Sequence, residues 1–529
     1  MREPWHAAAS TRLQSRRAFL GVLGGSAAGL TIASLGLGQG PGQAGDLLAS
    51  ALPLPAPFHV ALPVPPVARP EGVDGSGAEL YRITQRMADL EILPGLRTSV
   101  LGYDGIFPGP TFETRRGRPI VVRHRNELAV PTVVHLHGGH TPAESDGFPT
   151  DLVLPVGNTR DWSLHHGMPL GDVAMGERDY RYPMTQRAAT LWYHDHRMDF
   201  TGPAIYRGLA GFHIVRDDVD DALPLPRGDR ELPLMICDRS FAADGSFAYP
   251  GLDQQMRRLA GVEQDYMEGV LGDVILVNGA PWPVLEVDAA RYRFRLLNAS
   301  NARRYRLALT VPGGPNLPLT QIGSDGGLLA APVEQPAIQM ASAERFDVVA
   351  DFSVLPVGTE VTMVNQLGTG STANVMRFRV VRTARDDSQV PRSLAEIEPL
   401  IPSVDATRRT FEFSRGTGSD GHRVWVINGK SFDPETSLAN SPRDEVEIWR
   451  FVTNVHHPVH VHLDSFQVLQ RGSSGPGPFD LGWKDTLDLP PGQVADVAIR
   501  FNDYAGRFLM HCHNLEHEDM AMMATVQTH

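Results

Sequence analysis

Val277-Asn278-Gly279-Ala280-Pro281-Trp282 is one of three copies of a phrase in which an Asx-Gly pair leads into an aromatic residue and then alternating strand residues. The other two are Tyr103-Asp104-Gly105-Ile106-Phe107-Pro108 and Ile427-Asn428-Gly429-Lys430-Ser431-Phe432. Asx-Gly pairs favour the tight turns in which both central residues take positive φ, so each copy predicts a β-hairpin. Downstream of each lies a stretch of period-2 hydrophobicity, Pro119–Arg125, Arg291–Leu297 and Glu445–Val452, which runs into Asn126, Asn298 and Asn454. The copies are about 150–175 residues apart, which is domain spacing. Three repeats of a strand-and-turn pattern predict an all-β chain of three sandwich or Greek-key domains. A length of 529 residues agrees, being too long for one hydrophobic core.

The rest of the composition narrows the function. There are 48 Lys+Arg against 61 Asp+Glu and no long basic run, so nothing invites nucleic acid or an anionic membrane surface. Only two cysteines occur, Cys237 and Cys512, which excludes a disulfide framework; a bond between the two is open in principle. Ser15-Arg16-Arg17-Ala18-Phe19-Leu20-Gly21 is a twin-arginine pattern followed by an apolar stretch to about Gly38. Residues 1–45 are therefore expected to be an export signal, with delivery to the periplasm or beyond. An uncleaved anchor is the alternative, but the many small residues make a poor one. Residues 50–75, rich in Pro and Ala, read as an extended lead-in. Expected boundaries fall at Asp217–Arg230 and Arg382–Pro402, giving domains at 46–217, 230–385 and 400–529.

Ten of the 20 histidines sit in four short clusters, two near the front of the chain and two near its end. They are His135/His137, His194/His196, His457/His460/His462 and His511/His513/His517. A His-x-His pair on a strand presents both imidazoles on one face. One such pair is unremarkable on a solvated strand, but burying eight imidazoles without partners would cost about a few kcal/mol each, so a metal is implied. Imidazole and thiolate ligands suit copper or zinc. In His511-Cys512-His513 the cysteine points to the face opposite its neighbours, so one tripeptide can serve two metal centres. His457, Cys512 and His517, with Met522 as a weak axial thioether, form a blue-copper ligand set, and no CxxC pair speaks for structural zinc.

These motifs, in this order, resemble the multicopper oxidases, and Gly272–Arg295, Gln321–Leu329 and His511–Met523 look closest to the bacterial spore-coat laccase, bilirubin oxidase and phenoxazinone synthase group. The similarity covers the chain from about residue 85 to 526. It implies three cupredoxin-like Greek-key β-sandwich or barrel domains and four copper ions. Type 1 copper would be held by His457, Cys512, His517 and Met522, and type 2 by His135 and His460. One type 3 copper would take His137, His194 and His511, the other His196, His462 and His513. The resemblance further implies one-electron oxidation of small phenolic or aromatic donors, with four electrons passed to dioxygen; because a single chain already contains both copper centres, a monomer is expected. Asp146 and Glu518 are candidate proton donors, or else residues that orient the ligand histidines. Bilirubin oxidation, Cu(I) or Mn(II) oxidation and a copper-free envelope scaffold are the rival readings. His140 is expected near the cluster in a supporting or channel role, His165, His166, His422 and His529 at the surface, and Cys237 in the core. Alternation along a strand would put Met520 and Met522 on one face.

Overall fold

The computed structural model describes residue 43 and residues 45–163, 168–417 and 423–529. The expected export segment, but for Gln43 and Gly45, lies outside them, as do His165, His166 and His422. Strand accounts for 46 % of the chain and helix for 6 %, so the all-β expectation holds. Among the described residues no helix is long and apolar enough to cross a membrane.

Besides two small two-stranded sheets, the six larger sheets come in three successive pairs. In the first, a five-stranded sheet carrying Glu79–Leu90 and Ile120–Asn126 belongs with a four-stranded sheet carrying β1 (Val134–His137) and β2 (Ala189–Asp195). In the second, Glu231–Phe241 and Arg291–Asn298 lie in an eight-stranded sheet accompanied by one of five strands. The third has two five-stranded sheets: β3 (Arg408–Thr417) and β4 (Arg423–Ile427) in one, β5 (His457–Val461) and β6 (Gly506–Cys512) in the other. A short helix, α1 (Leu515–Glu518), follows β6. Alternation of apolar residues builds the core of each pair, for example Phe411, Phe413, Trp449, Phe451, Val497 and Ile499 in the third.

The repeated phrase does the same work three times. Asp104-Gly105, Asn278-Gly279 and Asn428-Gly429 all have positive φ at both residues, from 51° to 83°. The Asx side-chain oxygen of each accepts a backbone N–H from a neighbouring strand: Thr84 (2.8 Å), Met235 (2.8 Å) and Glu412 (2.7 Å). Those strands run parallel to the three period-2 strands, Ile120–Asn126, Arg291–Asn298 and Val446–Thr453. The turn thus fixes the register of each domain's central strands, which explains why it recurs. The terminal Asn is less uniform: Asn126 and Asn298 are buried and bonded to the backbone, whereas Asn454 is exposed.

Residues 50–75 are extended, as expected, but they are also built into the fold. Phe58 and Leu62 donate backbone bonds to Trp282 and Val284, Ala68 to Thr111, and Leu52, Leu54, Phe58 and Leu62 pack on the central core. Apolar residues between the prolines, which composition alone obscures, anchor this strap.

Candidate metal centre

β1 and β2 pair antiparallel, setting His137 opposite Trp192 and His135 opposite His194. β5 and β6 pair antiparallel as well, with His460 opposite His511 and Val459 opposite Cys512. The two strand pairs face one another, and His135, His137, His194, His196, His460, His462, His511 and His513 meet there, each at most 1 % exposed. His135 and His462 stack with centroids 3.8 Å apart, and His137 and His460 at 3.7 Å.

The ligand atoms fit metal ions. Nδ1 of His135, His194 and His460 donates to the backbone oxygens of Asp146 (2.6 Å), Asp195 (2.9 Å) and Asp485 (2.8 Å). Nε2 of all three is buried without a hydrogen-bond partner. His137 is turned the other way, with Nε2 3.2 Å from Asp485 Oδ1 and from Thr486 Oγ1 and its Nδ1 unpartnered. An outer nitrogen held by protein and an inner one left free is how a metal-ligating histidine is oriented. Burial holds His135, His137, His194, His460 and His462 well below the usual imidazole range, with neighbouring histidines adding to the effect. The neutral form that ligates metal is therefore favoured.

Groups of donors close enough to share an ion are His135/His460/His462, His135/His137/His194 and His196/His462/His511. The last of these corrects the expected division of the fourth motif. His511 Nε2 lies 3.3 Å from His196 Nε2 and 3.2 Å from His462 Nε2. His513 instead faces His137 (5.1 Å between centroids) and His194 (5.5 Å). Antiparallel register is the reason: β6 runs so that Leu509 and His511 lie beside His462 and His460, while His513 lies beyond, bonded through its N–H to Pro458 O. Strand periodicity places the pair on one face but says nothing about which end meets which partner.

On the opposite face of the tripeptide, His457 Nδ1 and His517 Nδ1 are 3.3 Å and 3.5 Å from Cys512 Sγ and 3.1 Å from each other. All three residues are fully buried, as is Met522, which packs in the same core as Cys512. Met522 does not owe its place to strand alternation, because the strand begins only at Met523. Ala521 takes φ 69°, and the turn is tied by Met522 N–H to His517 O and Cys512 N–H to Met522 O, both 3.1 Å. Met520 is left only partly buried. Burial pushes the Cys512 thiol well above its ordinary range, so a metal binding there must displace its proton.

Both candidate acids touch ligand histidines. Asp146 Oδ2 is 2.8 Å from His462 Nδ1, and its Oδ1 is 3.6 Å from His135 Nδ1. Burial, with Asp151 nearby, holds Asp146 well above the carboxylate range. Glu518 Oε2 is 3.2 Å from His511 Nδ1 and Oε1 3.7 Å from His196 Nδ1. Burial opposes its charge, but His511 and His196 more than offset this and hold it below the ordinary range. A third carboxylate escaped the sequence reading. Asp485 sits against His137 and is gripped by Arg345 at 2.7 Å and 2.5 Å, beside Lys484, itself buried between Asp325 and Glu344. The available signal was weak: Lys484-Asp485 ahead of the short strand Thr486–Leu489, with a further acid at Asp488. His140 is held 3.1 Å from Asp464 and 3.0 Å from Asp503 at a cavity of about 480 Å³ that Gly138 also lines. Cys237 is a free buried core thiol, and no bond joins it to Cys512. His529 is exposed.

A His₂Cys site joined through its cysteine to a cluster of eight imidazoles defines a copper-dependent oxidoreductase that carries electrons between two centres. Comparison with known proteins agrees. Models described as "Multicopper oxidase" match residues 404–529 and residues 85–168 and 173–220. The laccase of Bacillus subtilis is 35 % identical over 88 % of this chain and 97 % of its own, and the bilirubin oxidase of Albifimbria verrucaria is 34 % identical over 88 % and 80 %. The crystal structure of a multi-copper oxidase from Pediococcus acidilactici superposes with a TM-score of 0.77 at 30 % identity, covering 92 % of this chain and 93 % of that one. The chain belongs to the multicopper oxidase family, whose domains are cupredoxin-like.

Proposed function

We propose that this multicopper oxidase works as a laccase, oxidising small phenolic and aromatic donors one electron at a time and reducing dioxygen to water. The observation that carries the reading is the convergence of His457 Nδ1, Cys512 Sγ and His517 Nδ1 within 3.1–3.5 Å, on the strand whose flanking His511 and His513 belong to the eight-imidazole cluster. In this reading His457, Cys512, His517 and Met522 hold type 1 copper, and His135 and His460 type 2. His137, His194 and His513 hold one type 3 ion; His196, His462 and His511 hold the other. Four copper ions bound there would supply the one-electron and four-electron redox chemistry. The chain's own residues do the rest. Backbone oxygens of Asp146, Asp195 and Asp485 fix imidazole orientation. Asp146 and Glu518 are placed beside the outer nitrogens of His462 and His511 to hold and pass the protons that dioxygen reduction consumes.

One chain supplies all the donors, which supports a working monomer. The Ser15–Gly21 pattern supports export by the twin-arginine route to the periplasm or the medium. Bilirubin oxidation uses the same site geometry and is favoured as a second reading by the likeness to the Albifimbria verrucaria enzyme. Oxygen uptake by copper-loaded protein with dimethoxyphenol as sole donor tests the assignment. Uptake that disappears in Cys512→Ser is the expected result; a blue, fully loaded protein that consumes no oxygen with any phenol would overturn it.

A further inference from the structure

His517, the ligand through which a donor would ordinarily reach the type 1 site, is fully buried, and so is His457. What lies over it is Trp425 on β4. The indole and the His517 imidazole have centroids 3.7 Å apart and planes within 30°, while the same indole meets His457 edge-on at 5.6 Å. Trp425 is itself 2 % exposed, and its Nε1 has no hydrogen-bond partner. On its outer side the indole is capped. Arg415, directly opposite Trp425 in the β3–β4 register, places its guanidinium 5.4 Å from the ring centroid. Arg415 is in turn ion-paired with Glu268 from the middle domain, and both are about a third exposed. Glu268 also closes the site from the other side, its carbonyl accepting from Asn514 Nδ2 at 2.9 Å.

On the β4 side solvent, guanidinium, indole and imidazole are therefore arranged in series, while on the other side the Glu268 backbone meets His517 and covers it. We propose that Trp425 is the electron-entry residue of the type 1 site: donors dock against the Arg415–Glu268 cap, the indole bars them from His517, and the electron crosses the indole to reach it. This rests on the laccase reading and deepens it by specifying how donors are admitted. The balance is simple. One electron leaves the donor and one would arrive at a copper(II) ion held by His457, Cys512 and His517; a phenol gives its proton to water, and the indole forms and breaks no bond. Arg415 also explains why the indole conducts without being oxidised itself, since a cation over the ring disfavours removing an electron from it. A consequence for specificity follows. Because no donor has to enter a cleft, donor bulk should matter little and donor potential should matter most.

The test is anaerobic stopped-flow bleaching of the blue absorption of copper-loaded protein by dimethoxyphenol and by the same phenol coupled to a soluble polymer. Wild type is expected to bleach at similar rates with both. Trp425→Leu, which keeps most of the bulk but removes the aromatic system, should slow both by roughly tenfold or more, about 1.4 kcal/mol in the barrier. Its blue band, electron paramagnetic resonance signal and reduction potential should stay unchanged. Trp425→Phe should recover most of the rate. Trp425→Ala, by opening a cleft over His517, should restore the free phenol and not the polymer-bound one. Trp425→Leu bleaching at the wild-type rate would overturn the proposal, as would a rate loss fully accounted for by a shifted potential. A wild-type protein that neither phenol bleaches would instead bring down the laccase reading, and the proposal with it.

Discussion

In the proposed assignment Cys512 occupies the one position from which a side chain can reach one copper centre while its two neighbours reach another, and the other cysteine, Cys237, is a core thiol. Cys512→Ser should therefore lose the blue absorption and type 1 copper while keeping the cluster, and turnover with any donor should fall to background. The carboxylates act one step further out. Removing an outer-sphere partner of a metal ligand commonly costs about 10–100-fold in affinity or activity. Asp485→Asn is expected to do so, through His137 and through the loss of the bidentate pair with Arg345, which keeps only Asp325 at 3.5 Å, and a melting curve should show the loss together with the drop in oxygen uptake. A variant with unchanged melting and unchanged uptake would reduce Asp485 to a bystander. Asp485 was hard to find in the sequence because it stands just ahead of a strand between Asp480 and Asp488 with no spacing that sets it apart, whereas most of the histidines pair as His-x-His. Eight of the histidines were legible because four His-x-His pairs each put both imidazoles on one strand face; Cys512 takes the opposite face and His517 lies on α1, so these two and His457 were read from their nearness to the last two pairs in the sequence.

At the scale of strands and turns, legibility was uneven for a physical reason. Periodicity tells which face a residue takes, and it found the strands around Asn126 and Asn298 to within a residue or so. It does not give register or direction, which depend on a partner strand hundreds of residues away. This is why the partners expected for His511 and His513 are exchanged in the structure. Met522 is a related case, since a left-handed Ala521, not a strand, delivers its side chain. An alanine in that conformation is strained by about 1 kcal/mol relative to glycine. Ala521→Gly should accordingly melt at or slightly above the wild-type temperature with an unaltered blue spectrum. Ala521→Val, whose branched side chain resists φ 69°, should destabilise the protein and perturb the type 1 spectrum. An unperturbed valine variant would show that Met522 is placed by something other than this turn.

Within the described residues the candidate metal donors come from the first and last pairs of sheets, and the middle pair supplies Arg345, Glu344 and Asp325 beside them. Copper should then act as a staple. A ligand that binds only the native state adds about 2.7 kcal/mol at a hundred times its dissociation constant, so apoprotein should melt several degrees below the loaded form. His140 makes a separate, pH-dependent contribution between the first and last domains. Burial opposes its charge, but Asp464 and Asp503 outweigh burial and raise it to about 9, above its unfolded value of about 6.5. The stability it gives is therefore full below about pH 6.5 and lost as pH rises through about 9. The melting temperatures of wild type and His140→Gln should differ most near pH 6 and converge above pH 9; a constant difference would remove His140 as the cause.

The central claim is that one chain holds a complete set of two linked copper centres, and the most direct measurement is copper content with electron paramagnetic resonance on loaded wild type and Cys512→Ser. The account predicts four ions per chain, with a type 1 and a type 2 signal, in the wild type, and three ions with only the type 2 signal in the variant. A wild type that takes up two ions or fewer, or a variant that keeps the type 1 signal, would contradict it.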